Sequence, residues 1–240
     1  MSDFNSHCAC TPAVPHEYAP TGTYTTVTGL NTYTAKPSYS NSPTSAIIAI
    51  HDIFGFNAKS KTFQGADRLA SQTGSVVLMP DFFGSEAVPL GLPADEQMKK
   101  VRELLAGKAN VGMAVEKVRE IVEAVKSEPQ YGSVRKIGIY GLCWGGKVAV
   151  ASSQANTPFA ASAQAHPGMV VVEDAEKLTI PHLALFSKQD GEPELIEAYS
   201  KALEAKMDAS SEKYERMSHG WMGARAFQDP EDAVEGFERG

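Results

Sequence analysis

Tyr140-Gly141-Leu142-Cys143-Trp144-Gly145-Gly146-Lys147 is the stretch whose reading decides the fold. Gly141 to Gly145 fits the nucleophile-elbow pattern, Gly-x-nucleophile-x-Gly, with cysteine at its centre. The run before it, Lys136-Ile137-Gly138-Ile139-Tyr140, reads as a short buried strand, and Lys147 to Ser153 as the first turns of a helix. Strand, tight turn and helix in that order hold a nucleophile at a strained backbone position above a sheet edge. Gly141 and Gly145 suit the motif because a Cβ at either place would meet the neighbouring strand or helix. The positive end of the helix would favour a thiolate at Cys143. The plainer reading is a small buried residue, as most free cysteines are. Two correctly spaced glycines, a third at Gly146 and the strand–helix context weigh against it.

Outward from the elbow, strand and helix signals alternate. Tyr24–Thr28 and Asn31–Ala35 are β-prone and separated by Gly29-Leu30, a hairpin signal. Ala46 to His51 is a continuous apolar run, as expected of a central parallel strand buried on both faces. Lys61–Gln72 reads as a helix, Ser75–Met79 as a strand, and Asp95–Ala106 and Val111–Lys126 as helices. Val111, Val115, Val118, Ile121, Val122 and Val125 form a helix-period stripe. Beyond the elbow, Phe159–Ala165, His182–Ser187 and Ser211–Arg216 read as strands and Glu194–Lys206 as a helix. This alternation implies a doubly wound, mostly parallel sheet with helices on both faces. Residues 1–20, small, polar and rich in proline, read as an irregular lead-in, and 21–240 as one domain. Asp229–Arg239 starts a helix that would ordinarily run further, so the chain reads as shortened at this end.

Composition narrows the function. The chain has 240 residues, 42% of them hydrophobic, with 22 basic and 29 acidic side chains for a net charge of −7. That balance, with no basic cluster, argues against nucleic acid or an anionic membrane as partner. No secretory h-region and no membrane-length apolar run occur. Three cysteines, two of them at Cys8 and Cys10 in the lead-in, suit a reducing, cytoplasmic setting. Cys8-Ala9-Cys10 lacks the second pair that would complete a metal site, so neither metal nor cofactor is expected.

A cysteine nucleophile needs a base, and the base an orienting acid. In α/β-hydrolases these follow in the order nucleophile, acid, histidine. Asp190 and then His219 satisfy that order, each just after an expected strand. Glu192 and Glu194 compete with Asp190. His166 also ends a strand but precedes the acid loop, so it reads as a pocket residue. An oxyanion needs two preorganised N–H donors, one from Trp144 and the second from the loop after the first central strand, where Ile53 is the candidate. Phe54, Phe82, Trp221 and His166 are expected to line a pocket for a planar or unsaturated small molecule.

His51–Asn57 (HDIFGFN), Pro80–Gly84 (PDFFG), Tyr140–Lys147, His166–Gly168 (HPG), Asp190 and Ser218–Trp221 (SHGW) together resemble the dienelactone hydrolase family of α/β-hydrolases. The Tyr/Thr-rich start and the His-Gly-Trp loop look like its fungal branch. The resemblance implies a Cys143–His219–Asp190 triad. It further implies carboxymethylenebutenolidase-like cleavage of an ester or enol-lactone through a thioester; the chain itself is expected to be a monomer or homodimer. Asp52 stands where the bacterial enzymes place a thiol-activating glutamate, one methylene shorter. Arg225 is the nearest candidate for a substrate-binding arginine, two residues later than the bacterial spacing. A thiol-reactive or redox-sensing module without turnover is the alternative, because an activated cysteine beside a histidine would look the same.

Overall fold

A computed structural model of the chain describes residues 18–40, 42–206, 208–225, 236, 239 and 240, with backbone alone over 57–60. Cys8, Cys10 and nearly all of the expected terminal helix lie outside the described residues. The chain begins with a hairpin of β1 (Thr23–Val27) and β2 (Leu30–Ala35), in which Val27 faces Leu30. Its turn is Thr28-Gly29, one residue earlier than the sequence suggests, with φ of 48° and 82°. A two-residue turn that follows the strand twist needs both central residues left-handed, and Gly29 supplies one of them without strain.

The body follows as β3 (Ser45–Ile50), α1 (Lys59–Thr73), β4 (Val76–Pro80), α2 (Ala94–Ala106), α3 (Val111–Ser127), β5 (Lys136–Leu142) and α4 (Trp144–Ser152). It continues through β6 (Ala161–Ala165), α5 (Val172–Glu176), β7 (His182–Ser187), α6 (Pro193–Glu204) and β8 (Ala209–Tyr214). All eight strands join one sheet in the order β1-β2-β4-β3-β5-β6-β7-β8. β3 to β8 run parallel to one another, and β2 pairs antiparallel with both β1 and β4. The short helix α5 carries too few turns to leave a periodic signature in the sequence.

Side-chain alternation along the central strands builds a core on each face. Ile48, Ile50, Val76 and Leu78 pack with Val101, Val118, Ile121, Val122 and Val148 of α2, α3 and α4. Ala49, Val77 and Met79 point the other way, against Phe63, Ala66 and Ala70 of α1. Asn110 caps α3 by accepting the Met113 N–H at 3.1 Å, which satisfies one orphan donor of its first turn. After β3 the chain moves to β4 on one side, then returns to β5 on the other. The carboxyl ends of β3 and β5 are therefore a topological switch point, where ligands of such sheets bind. His51–Gly55 leaves one of these ends and Cys143 the other. A cavity of about 500 Å³ lies elsewhere: Ile47, Leu69, Gly138, Leu183 and Met222 line it, and Cys143, Asp190 and His219 do not.

Candidate active site

Cys143 has φ 55° and ψ −114°, a left-handed position that a non-glycine residue occupies only when its surroundings enforce it. They do so on both sides. Its N–H donates to Ala165 O at 3.1 Å, and its carbonyl accepts Gly146 N–H and Gly168 N–H, each at 3.0 Å. A Cβ on Gly141 would overlap the Gly145 carbonyl, and one on Gly145 would overlap the carbonyls of Ile50 and His51. Strand and helix thus approach more closely than side chains permit. The helix α4 starts at Trp144, directly after the cysteine and three residues ahead of the start read from sequence. Two glycines mask the helix signal there, but the close approach requires them. The Trp144 side chain is core: its indole donates to Ala109 O at 2.8 Å and its ring packs 4.6 Å from that of Phe83.

Facing the elbow is the loop after β3. His51 is fully buried, with Nδ1 2.7 Å from Asp52 O and Nε2 accepting Phe82 N–H at 3.1 Å. A carbonyl only accepts and a backbone N–H only donates, so the proton of the neutral ring sits on Nδ1. Burial holds its pKa below the usual 6.5, which keeps that neutral form. Asp52 accepts Phe54 N–H at 2.9 Å through Oδ1 and Ala224 N–H at 3.3 Å through Oδ2. Its carboxylate therefore braces this loop against the segment after His219. Among the described residues, the backbone N–H groups of Ile53 and Trp144 donate to no other backbone group.

The segments after β7 and β8 carry Asp190 and His219. Asp190 follows β7 by three residues and is buried. Its Oδ1 accepts Ser187 Oγ–H at 2.5 Å and lies 2.6 Å from His219 Nδ1, while Oδ2 accepts Ser187 N–H at 2.6 Å. The backbone N–H of His219 donates to Gln189 Oε1 at 3.0 Å. A carboxylate on Nδ1 fixes the tautomer and leaves Nε2 the proton-accepting role. Glu192 and Glu194 are exposed. Ser187 and Gln189, which hydrogen-bond to Asp190 and His219, are not singled out by the sequence reading. The Ser187-x-x-Asp190 spacing, which suits a local side-chain-to-backbone turn, was the available signal.

Asp52, Phe54, Cys143, His166, His219 and Arg225 line one small cavity of about 10 Å³ with Gly220 and Ala224. Phe82 and Trp221, expected in the pocket wall, lie outside it. Phe82 sits 5.9 Å from the His51 ring, and Trp221 stacks on Tyr214 at 5.1 Å and backs His166 at 5.3 Å. Their spacing along the chain could not distinguish a cavity wall from the layer behind it. The buried Arg225 guanidinium lies 5.8 Å over the Phe54 ring. His182 stands at the start of β7, away from the elbow, with Nδ1 2.7 Å from Ser162 Oγ.

Residues 30–236 match the model of the dienelactone hydrolase family. The chain belongs to that family. A Schizosaccharomyces pombe protein described as an uncharacterised AIM2 family member is 34% identical over 204 residues, covering 82% of this chain and 78% of its own. A carboxymethylenebutenolidase homologue from Xenopus tropicalis is 28% identical over 221 residues, covering 90% and 85%. The crystal structure of the dienelactone hydrolase from Anabaena variabilis superposes with a TM-score of 0.59 at 16% identity, covering 93% of this chain and 96% of that one, a likeness of fold.

In this dienelactone hydrolase family member, histidines surround the elbow in distinct states. His219 is tied to a carboxylate, His51 is locked as the Nδ1–H tautomer by backbone, and His166 lies between them in sequence with its ring 5.1 Å from that of His219. Among the described residues no helix is long and apolar enough to cross a membrane, and no cluster of three or more His, Cys, Asp and Glu is arranged to hold a metal.

Proposed function

We propose that this chain hydrolyses an ester or enol-lactone of a small molecule through a thioester on Cys143. One observation carries the reading: His219 borders the same cavity as a cysteine held at a nucleophile elbow, with the buried Asp190 carboxylate 2.6 Å from its Nδ1. His219, aligned by Asp190, takes the Cys143 proton as the thiolate attacks the substrate carbonyl. The N–H groups of Ile53 and Trp144 receive the oxyanion; losing one such donor costs about 3 kcal/mol. The alkoxide or enolate departs with the proton that His219 took from Cys143, and water then cleaves the thioester, with His219 taking a proton from it and returning one to sulfur. The cavity of about 10 Å³ has room for about one water, so substrate entry requires its lining to shift.

The test is turnover of p-nitrophenyl acetate, an enol lactone and a thioester by the wild type and Cys143→Ala. The wild type should release many equivalents per thiol, and the variant should lose at least about a thousandfold in kcat. Retention of activity in Cys143→Ala would refute the thiol mechanism. One equivalent of labelling without turnover would instead identify a thiol-reactive module.

A further inference from the structure

His166 has four features that structural packing alone does not explain. It is completely buried, yet neither ring nitrogen has a hydrogen-bond partner among the described residues. Buried polar atoms ordinarily find one, and each exception calls for a reason. Its backbone is left-handed, with φ 38°, a conformation costly for a residue with a Cβ. Finally, it lines the small cavity that Cys143 and His219 share. A side chain kept strained, buried and unsatisfied is retained for what enters beside it.

The surroundings fix its place relative to the sulfur. Ala165 O accepts the Cys143 N–H, and Gly168 N–H donates to the Cys143 carbonyl, so the two flanks of His166 clasp the backbone of the nucleophile. A Cβ built on Gly168 would lie 3.8 Å from Sγ, which sets this turn against the sulfur itself. The His166 N–H is anchored to Leu185 O at 2.8 Å. Its ring meets that of His219 edge to face, with Trp221 behind. Burial first, then the charges of His219 and Arg225, hold its pKa well below 6.5. It therefore stays neutral, with one donor and one acceptor nitrogen.

We propose that His166 positions the water that hydrolyses the Cys143 thioester, holding it in the cavity that its ring and His219 both line. This rests on the thioester reading above. About 10 Å³ is room for one water and little else. One water hydrogen is given to His219 Nε2 as the oxygen attacks the thioester carbon, while the other is donated to the acceptor nitrogen of His166, which takes no proton. The tetrahedral intermediate collapses with cleavage of the carbon–sulfur bond. Its electron pair returns to Sγ, the proton on His219 follows, and the carboxylic acid leaves. Acylation needs no water, so His166 acts on the second half-reaction alone.

The experiment uses the full chain and p-nitrophenyl acetate, with wild type, His166→Phe and His166→Gln compared. Release of the first equivalent of p-nitrophenol reports acylation; loss of the acetyl adduct from Cys143, followed by mass spectrometry, reports deacylation. In His166→Phe, acylation and kcat/KM should stay within about twofold of wild type. Adduct loss should slow about tenfold, with kcat and KM falling together. His166→Gln, which places an amide at about the reach of Nε2, should recover most of the lost rate. Circular dichroism of the variants reports whether they are folded, and His166→Gln carries the test should His166→Phe fail to fold. An equal slowing of acylation, or adduct loss unchanged in both variants, would overturn the assignment. Absence of any adduct on Cys143 in the wild type would instead fail the thioester reading on which it stands.

Discussion

Asp190→Asn should disable this site while leaving it folded, and the hydrogen bonds around Asp190 say why. Each of the three groups bonded to its carboxylate acts as a donor: Ser187 N–H at 2.6 Å on Oδ2, and Ser187 Oγ–H at 2.5 Å and His219 Nδ1 at 2.6 Å on Oδ1. An amide must turn its NH2 toward one side. Against Ser187 N–H it would set two donors face to face with no alternative, costing about 1–3 kcal/mol for the buried group left unpaired. Against Oδ1 the conflict resolves, because the Ser187 hydroxyl can rotate to accept and His219 can change tautomer. The second orientation wins, and Nδ1 then accepts while Nε2 carries the proton. An imidazole protonated on Nε2 cannot take a proton from Cys143. A neutralised acid in such a triad costs about 10⁴ in kcat, or about 5 kcal/mol of barrier. The assay is the pre-steady-state release of p-nitrophenol from the acetate ester, with nitrogen-15 shifts of His219 reporting the tautomer. Circular dichroism checks the fold. An acylation rate within tenfold of wild type, in a folded variant whose tautomer has switched, would refute the argument.

Two further outcomes concern the scaffold. Gly145→Ala would push a methyl into the carbonyls of Ile50 and His51, and should cost about 3 kcal/mol or more of stability; a urea midpoint within 1 kcal/mol of wild type would show the elbow to be more yielding. Acid should also destabilise the fold through buried histidines. Burial lowers His51 and His166 and pushes His182 from 6.5 down to about 4, so each is neutral when folded and takes a proton on unfolding in mildly acidic solution. The unfolded chain thus binds more protons between about pH 6.5 and 4, and stability falls as pH drops through that window. His182 alone should account for about 2 kcal/mol between pH 7.5 and pH 5, measured as a lowered urea midpoint. An unchanged midpoint would contradict the burial of these rings.

Much of the architecture could be read locally. The apolar run before His51 and the stripe on α3 announce a strand buried on two faces and a helix buried on one, because side-chain period follows backbone geometry. The hairpin register was off by a residue, since Thr28 carries no sign that it will adopt a positive φ. The first turn of α4 was missed because Gly145 and Gly146 are poor helix formers; contact with β3 overrides that preference. Among the site residues, chain order singled out Cys143, Asp190 and His219. Chain order does not point to Ser187 and Gln189, which hydrogen-bond to Asp190 and His219.

By itself the sequence determined the alternation of strands and helices, the position of the elbow and the family to which the chain belongs. Each of these is written in spacings of a few residues. The tertiary structure decided which side chains share a cavity: His166 and Arg225 reach the wall, while Phe82 and Trp221 stand behind it. The strand order also brings the ends of β3, β5, β7 and β8, separated by tens to more than a hundred residues, to one edge of the sheet. Neighbourhood across that edge is set by how whole elements pack, and no local pattern along the chain encodes it.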